Sequence, residues 1–200
     1  MMRIASLVTL IAVLAGCSER PPFGTFRAGL TPEVVATVDN ELLYIGVEGL
    51  STESTVQPAE RIDGVINWRT VDNSSEIATR NGLIVATRSL GNDLMSADVA
   101  GSVAALQGRD GGEYYPRFHT LLDGEYQPQF TSYQCIIENR EAEPLAILDR
   151  TYSAIRLDEV CTTPGKTVTN TYWVDRDGGM LRSRQWIGED VQYIQTERLK

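Results

Sequence analysis

Side chains able to do covalent chemistry are few in this 200-residue chain: three cysteines, Cys17, Cys135 and Cys161, and one histidine, His119. A nucleophile needs a base within hydrogen-bond reach, and one histidine offers little choice. No G-x-S-x-G elbow, H-E-x-x-H pair or Cys/His zinc spacing occurs. "PGKT" at 164–167 resembles the end of a phosphate-binding loop, but Val160 stands where that loop needs its first glycine, so the stretch reads as a hairpin turn. A carboxylate pair can hydrolyse glycosidic bonds. Asp93, Asp158, Asp175 and Asp177 are available for that, though turn and surface roles account for them more simply. His119, in "PRFHTLL", alternates with apolar neighbours and reads as a surface or hydrogen-bonded strand residue rather than a general base. The expectation is a protein that is not an enzyme, with no cofactor and no metal.

Cys17 has a different chemistry. It follows Arg3, an apolar stretch from Ile4 to Ala15, and the small residues of Leu14-Ala15-Gly16. That layout is a secretory signal, and its last four residues form a bacterial lipobox, in which the cysteine sulfur is acylated and the chain cut before it. Twelve helical residues cover roughly 18 Å against a hydrocarbon core of roughly 30 Å, so the stretch is too short to span. Each buried acyl methylene contributes on the order of 0.8 kcal/mol, so a multiply acylated cysteine anchors stably. Ser18 follows Cys17 rather than an aspartate, which favours the outer membrane. An ordinary cleaved signal with an incidental Cys17 is the alternative. The expected organisation is residues 1–16 signal peptide, 17–32 lipidated tether and 33–200 a single domain, with "SERPPFGTFRAGLTP" as the tether.

Only Arg3 is charged in residues 1–16, so the remainder carries 17 − 27 = −10. That balance argues against nucleic acid and against a polybasic membrane patch. Cys135 and Cys161 then remain as an even number in an oxidising compartment, where a disulfide is expected. Closing about 25 residues would stabilise by about 3 kcal/mol on the chain-entropy model. A catalytic thiol served by His119 is the competing reading.

The elements that position these residues are mostly strands. From Glu41 on, short runs of branched and aromatic residues alternate with turn signals, giving at least eleven strand candidates in an antiparallel meander. Asn81-Gly82 marks a type I′ hairpin that sets Arg80 opposite Leu83, Thr79 opposite Ile84 and Ile77 opposite Ala86. In "NDLMSADVAGSVAALQG", Met95, Val99, Val103 and Leu106 fall at helical spacing, with Asn92 as N-cap, so one short helix or irregular crossover is expected on the sheet.

The C-terminal hairpin sorts its side chains by register. With 176–179 as the loop, Asp175 faces Met180 and Trp173 faces Arg182. Val168, Tyr172, Val174, Leu181 and Ile187 share one side, read as core. Thr169, Thr171, Trp173, Arg182, Arg184 and Trp186 share the other. Trp173, Arg182, Arg184 and Trp186 are candidate glycan-binding residues, able to stack on a sugar ring and bond its hydroxyls; the same set also suits a cation–π ladder that holds the sheet together.

Three stretches carry a family resemblance: "LIVATRSLGNDLMSADV" at 83–99, the Cys135/Cys161 pair in "YQCIIE…IRLDEVC", and "TNTYWVDRDGGMLRSRQWIG" at 169–188. Together they resemble the YjbF/GfcB-like group 4 capsule polysaccharide lipoproteins. The resemblance implies a mainly β fold, a large curved antiparallel sheet of half-barrel or barrel-like form, and a Gram-negative outer-membrane lipoprotein encoded with exopolysaccharide or capsule genes. It brings no catalytic residues. The expected function is a periplasm-facing, non-catalytic accessory or binding factor in polysaccharide export or assembly, with polysaccharide and export-machinery proteins as partners. A lipid or lipoprotein carrier would need a large apolar cavity instead, and a polysaccharide-modifying hydrolase two convergent carboxylates.

Overall fold

Alternating polar and apolar residues with Gly, Asn and Asp at the turns build one antiparallel sheet. A computed structural model describes residues 21–109, 111–125 and 127–200. Its strands are β1 (Leu43–Val47), β2 (Thr52–Ile62), β3 (Val65–Thr70), β4 (Glu76–Arg80), β5 (Leu83–Arg88), β6 (Leu94–Asp98), β7 (Tyr115–Leu122), β8 (Pro128–Ile147), β9 (Arg150–Thr163), β10 (Lys166–Val174), β11 (Met180–Gly188) and β12 (Gln192–Arg198). Three short helices accompany them: α1 (Thr25–Gly29), α2 (Pro32–Ala36) and α3 (Ala100–Leu106). The sheet order is β5-β4-β3-β2-β1-β12-β11-β10-β9-β8-β7-β6.

The two edge strands, β5 and β6, are consecutive in the chain, so the sheet curls into a nearly closed barrel. Asp93 holds the connecting turn, accepting from the Thr87 hydroxyl and the Ser89 and Leu90 amides at 2.7–3.0 Å. The Gln185 side chain reaches across the interior to edge strand β5, donating to the Gly82 carbonyl and accepting from the Ile84 amide, each at 2.9 Å. Its amide substitutes for a strand partner there. Because every pairing is antiparallel, the turns at 48–51, 71–75, 89–93, 123–127, 164–165 and 189–191 gather at one rim, here the upper rim. Those at 63–64, 81–82, 148–149 and 175–179, with α3, gather at the lower rim.

The interior is filled. Ile45, Val47, Val56, Trp68, Ile77, Ile84, Leu94, Ile187 and Ile194 pack as one cluster. Leu83, Val99, Leu157, Tyr172 and Val174 form another. On the outer wall, Val35 of α2 covers Tyr44, Leu145, Ile147 and Leu181.

The structure departs locally from the sequence reading. Strand β2 was not among the candidates, because its polar run contains Pro58, tolerated at a bulge between Pro58 and Glu60. Strand β6 and the short helix α3 divide the 92–108 stretch, expected as one short helix or irregular crossover: Met95 lies in a strand, and the Asn92 side chain bonds Asp190 instead of capping a helix. The Asn81-Gly82 turn has φ of 52° and 80°, as a type I′ turn requires. Arg80 faces Leu83 and Thr79 faces Ile84, but a bulge follows, so Ile77 faces Thr87 rather than Ala86. In the C-terminal hairpin, Trp173 faces Arg182 and a bulge puts Val174, not Asp175, opposite Met180. Leu181 consequently packs on the outer wall, away from Tyr172 and Val174.

Within the stretch expected as a tether, Glu53 accepts from the Gly24, Phe26 and Arg27 amides at 2.8–3.2 Å and holds α1 against the sheet. Cys17 and residues 1–16 lie outside the described residues.

Candidate binding groove

The strands place Trp173, Arg182 and Arg184 together on the outer wall, where each is engaged by the protein itself. Arg182 and Arg27 flank Glu197, with Nε to carboxylate distances of 2.7 Å from each side. Arg184 clasps Glu48 through two bonds of 2.7 Å while Gln195 donates to the same carboxylate at 2.8 Å. Burial works to raise the Glu48 pKa, but the bonds from Arg184 and Gln195 prevail and hold it below the ordinary value. Trp173 donates to Glu143 at 3.0 Å and lies between the Arg156 and Arg182 guanidinium groups, 5.9 and 5.8 Å from its ring centroid. Arg184 stacks 3.4 Å from the Tyr193 ring centroid. This is a cation–π and ion-pair ladder that ties β9 to β12.

Trp186 does not join it. Beyond Thr171 opposite Arg184 the β10–β11 register ends, the Trp186 amide donates to the Asn170 side chain at 2.7 Å, and the β11–β12 register shifts between Trp186 and Gly188. Gln185, Trp186 and Ile187 are therefore all buried in succession, and strict alternation, which had put Trp186 on the outer side, fails. Trp186 packs instead with Tyr133, Cys135, Cys161 and Val168.

At this point Trp186 forms the floor of a groove of about 710 Å³ that opens at the upper rim. One wall is the start of β8, where residues 128–133 pair only with β7 because β9 ends short of them. It presents Phe130, 78% exposed, with Thr131, Ser132 and Tyr133. The other wall is Thr163, Pro164, Gly165 and Lys166 of the β9–β10 turn, with Gly188 and Glu189. Lys166 Nζ sits 3.7 Å above the Trp186 ring centroid and pairs with Glu189. Aromatic faces, hydroxyls and one ion pair, arranged in an open cleft, are what a saccharide needs: its apolar ring face meets an aromatic, and its hydroxyls meet polar groups.

Beneath the floor lies a closed polar cluster. Glu159 is fully buried and accepts from Arg117 at 3.0 Å, Tyr172 at 2.8 Å, Tyr115 at 2.9 Å and Asn170 at 2.7 Å. Burial acts to raise its pKa; Arg117 and the hydrogen bonds overcome that and leave it below the ordinary carboxylate value. Arg117 Nε donates to His119 Nε2 at 3.1 Å, which leaves the histidine proton on Nδ1, facing the Ile187 carbonyl at 3.3 Å. Burial first, and the Arg117 charge second, push His119 down to about 3. It is neutral, buried and remote from solvent.

Cys135 and Cys161 face each other across β8 and β9 and form a disulfide. Among the described residues, their sulfurs and the Glu159 carboxylate are the one group spaced like metal ligands, within 4.8 Å of one another, and sulfurs bonded to each other offer no thiolate. The four aspartates do not converge. Asp93 and Asp175 hold turns, Asp158 accepts from Thr171, Asn139 and Arg156, and Asp177 donates its amide to Asp175. Sequence reasoning missed Phe130, Tyr133, Lys166 and Glu189, which come from three separate elements or turns. The failed "PGKT" match was the one visible pointer to Lys166.

The chain can be set beside known proteins. It is 25% identical over 213 residues, 100% of this chain and 99% of the relative, to a protein of Escherichia coli strain K12 described as uncharacterized lipoprotein GfcB. Its fold matches the crystal structure of the hypothetical lipoprotein YmcC from E. coli K12, with a TM-score of 0.67 and 21% identity over 92% of this chain and 97% of that one. The family described as group 4 capsule polysaccharide lipoprotein gfcB, YjbF, matches residues 9–199, and the chain belongs to it.

Proposed function

We propose that this protein is a non-catalytic accessory factor, lipid-anchored to the outer membrane and facing the periplasm, that holds a short stretch of capsule polysaccharide or exopolysaccharide in the upper-rim groove during export or assembly. The observation that carries the reading is the groove itself: exposed Phe130, the Trp186 floor and the Lys166–Glu189 pair in an open cleft of a capsule-family lipoprotein. Turnover is disfavoured by the same geometry, since glycoside hydrolysis uses two facing carboxylates and the groove is lined by one, Glu189, already paired. Carriage of lipid inside the barrel is disfavoured by the packed interior, where the gap beside Arg117 and Trp186 has no room even for a water molecule.

A groove this open gives a short fragment a dissociation constant on the order of millimolar, about −4 kcal/mol, raised by avidity on a long polymer. Intrinsic tryptophan fluorescence during titration with polysaccharide purified from the surface of the producing cells tests this. Phe130→Ala and Lys166→Ala, both at the surface, are expected to weaken binding at least tenfold. Equal binding by wild type and both variants would remove the groove from the account.

A further inference from the structure

Large apolar side chains left exposed on a soluble domain are ordinary when scattered, and informative when they gather beside an anchor. Of the eight large apolar side chains exposed among the described residues, Phe26, Val71, Met95 and Phe130 are 41, 76, 54 and 78% exposed. Ile62 and Tyr114 lie toward the lower rim, Phe118 within β7 and Val34 on α2. Val71 follows β3, Met95 is the second residue of β6, and Phe130 the third of β8, so all three stand at the upper rim. Phe26 joins them from α1, lining with Val71 and Leu90 a cleft of about 540 Å³ over Ile45 and Val47.

The route of the chain brings the same rim to the membrane. Glu53 fixes the Gly24, Phe26 and Arg27 amides, the Thr25 amide donates to the Pro22 carbonyl at 3.1 Å, and the Phe23 ring lies so close that a Cβ on Gly46 would come within 2.9 Å of it. Pro22 is thus held against the barrel, five residues after Cys17. Five residue steps reach at most roughly 18 Å, and the headgroup layer takes up roughly 5–8 Å of that. Barrel strands of nine residues, such as β10 and β11, are about 30 Å long and, tilted as barrel strands are, span roughly 20–25 Å along the axis, so the lower rim is out of reach while the barrel stands upright.

Charge narrows the surface further. The upper-rim turns carry Glu48, Asp72, Asp93, Asp123, Glu125, Glu189 and Asp190 against Lys166 and the end-of-strand Arg88. An anionic lipid surface would repel that rim. We propose that the upper rim docks on the membrane that holds the acylated Cys17, with Phe26, Val71 and Met95 in the interface of a zwitterionic bilayer and Phe130 left to the groove. Apolar burial in the interface supplies the attraction, and the short tether supplies a high effective concentration. The docking depends on the Cys17 anchor and is independent of what the groove binds; it sets the groove mouth beside the bilayer.

Amide hydrogen exchange on the acylated protein in phosphatidylcholine vesicles tests it, comparing wild type with the double variant Val71→Asp/Met95→Asp. Both positions are exposed and lie outside the groove lining, so fold and polymer binding are preserved. Turn amides at 71–75 and 89–92 are expected to exchange at least fivefold more slowly in wild type, with the lower-rim turns at 63–64 and 148–149 alike in the two proteins. Adding phosphatidylglycerol should erode the difference. Equal upper-rim exchange in the two proteins, or protection of the lower rim, overturns the proposal. An unacylated Cys17 in the mass spectrum of the same sample would also overturn it, leaving the groove reading untouched.

Discussion

Glu159→Gln is the sharpest test of how the barrel interior is held. The substitution preserves shape and removes one charge from a site where Arg117 is 1% exposed and Glu159 fully buried. Glu159 Oε2 accepts three hydrogen bonds, from Arg117, Tyr172 and Asn170, and Oε1 accepts one from Tyr115. A glutamine has a single acceptor oxygen, so whichever way it turns, its NH₂ meets donors. Breaking one side of a buried ion pair costs about 3–5 kcal/mol, mostly because the remaining charge stays desolvated. For a domain of this size each kcal/mol moves Tm by about 2–4 °C, so a loss of about 4 kcal/mol is a fall of roughly 8–16 °C. Urea unfolding followed by tryptophan fluorescence and by circular dichroism measures it. Arg117→Met on its own and combined with Glu159→Gln completes a double-mutant cycle, with an expected coupling of about 0.5–3 kcal/mol. A Glu159→Gln loss below about 1 kcal/mol, or no coupling, would show that the cluster is not electrostatically knit as described.

Two further outcomes follow from the interior. His119 titrates near its ordinary value when unfolded and at about 3 when folded, so the unfolded state binds the extra proton between those values. Stability therefore falls as pH drops below about 6.5, by up to roughly 1.4 kcal/mol per pH unit. Between pH 6.5 and 4.5, above the range in which Glu159 titrates, His119→Gln should flatten the decline seen in urea midpoints; an unchanged slope would contradict the assignment. Replacing Cys135 and Cys161 together by alanine opens a loop of 26 residues. The expected cost is about 3.5 kcal/mol on the chain-entropy model, read from the same urea curves, and an unchanged midpoint would refute it.

The sheet was legible wherever local chemistry fixes the backbone. Asn81-Gly82 demands positive φ and the structure supplies it, and Trp173 faces Arg182 as the 176–179 loop predicts, although the residues next to that turn are bulged. Bulges were not legible, because a bulge is stabilised by distant partners. Trp186 turns inward because its amide finds the Asn170 side chain, sixteen residues earlier, and Ala86 loses Ile77 beside a strand whose free edge is bonded by Gln185. One inserted residue moves every later side chain to the opposite face, which is how a glycan surface read from alternation divides into an outer ladder and a groove floor. Met95 and Val99 are four apart, a spacing that a strand entering a short helix satisfies as well as one continuous helix does. The buried Arg117–Glu159 pair was invisible for a different reason. Its members come from β7 and β9, and nothing local marks a charged residue as internal.

The central claim is that polymer binds at the upper-rim groove and not on the Trp173–Arg182–Arg184 wall. Amide hydrogen exchange of the protein with and without an oligosaccharide prepared from the surface polymer of the producing cells tests it most directly. The account predicts slower exchange at 129–133 and 163–166, where β8 overhangs the β9–β10 turn, with 171–173 and 182–184 unchanged. Protection confined to 171–173 and 182–184, or no protection anywhere at saturating oligosaccharide, would contradict it.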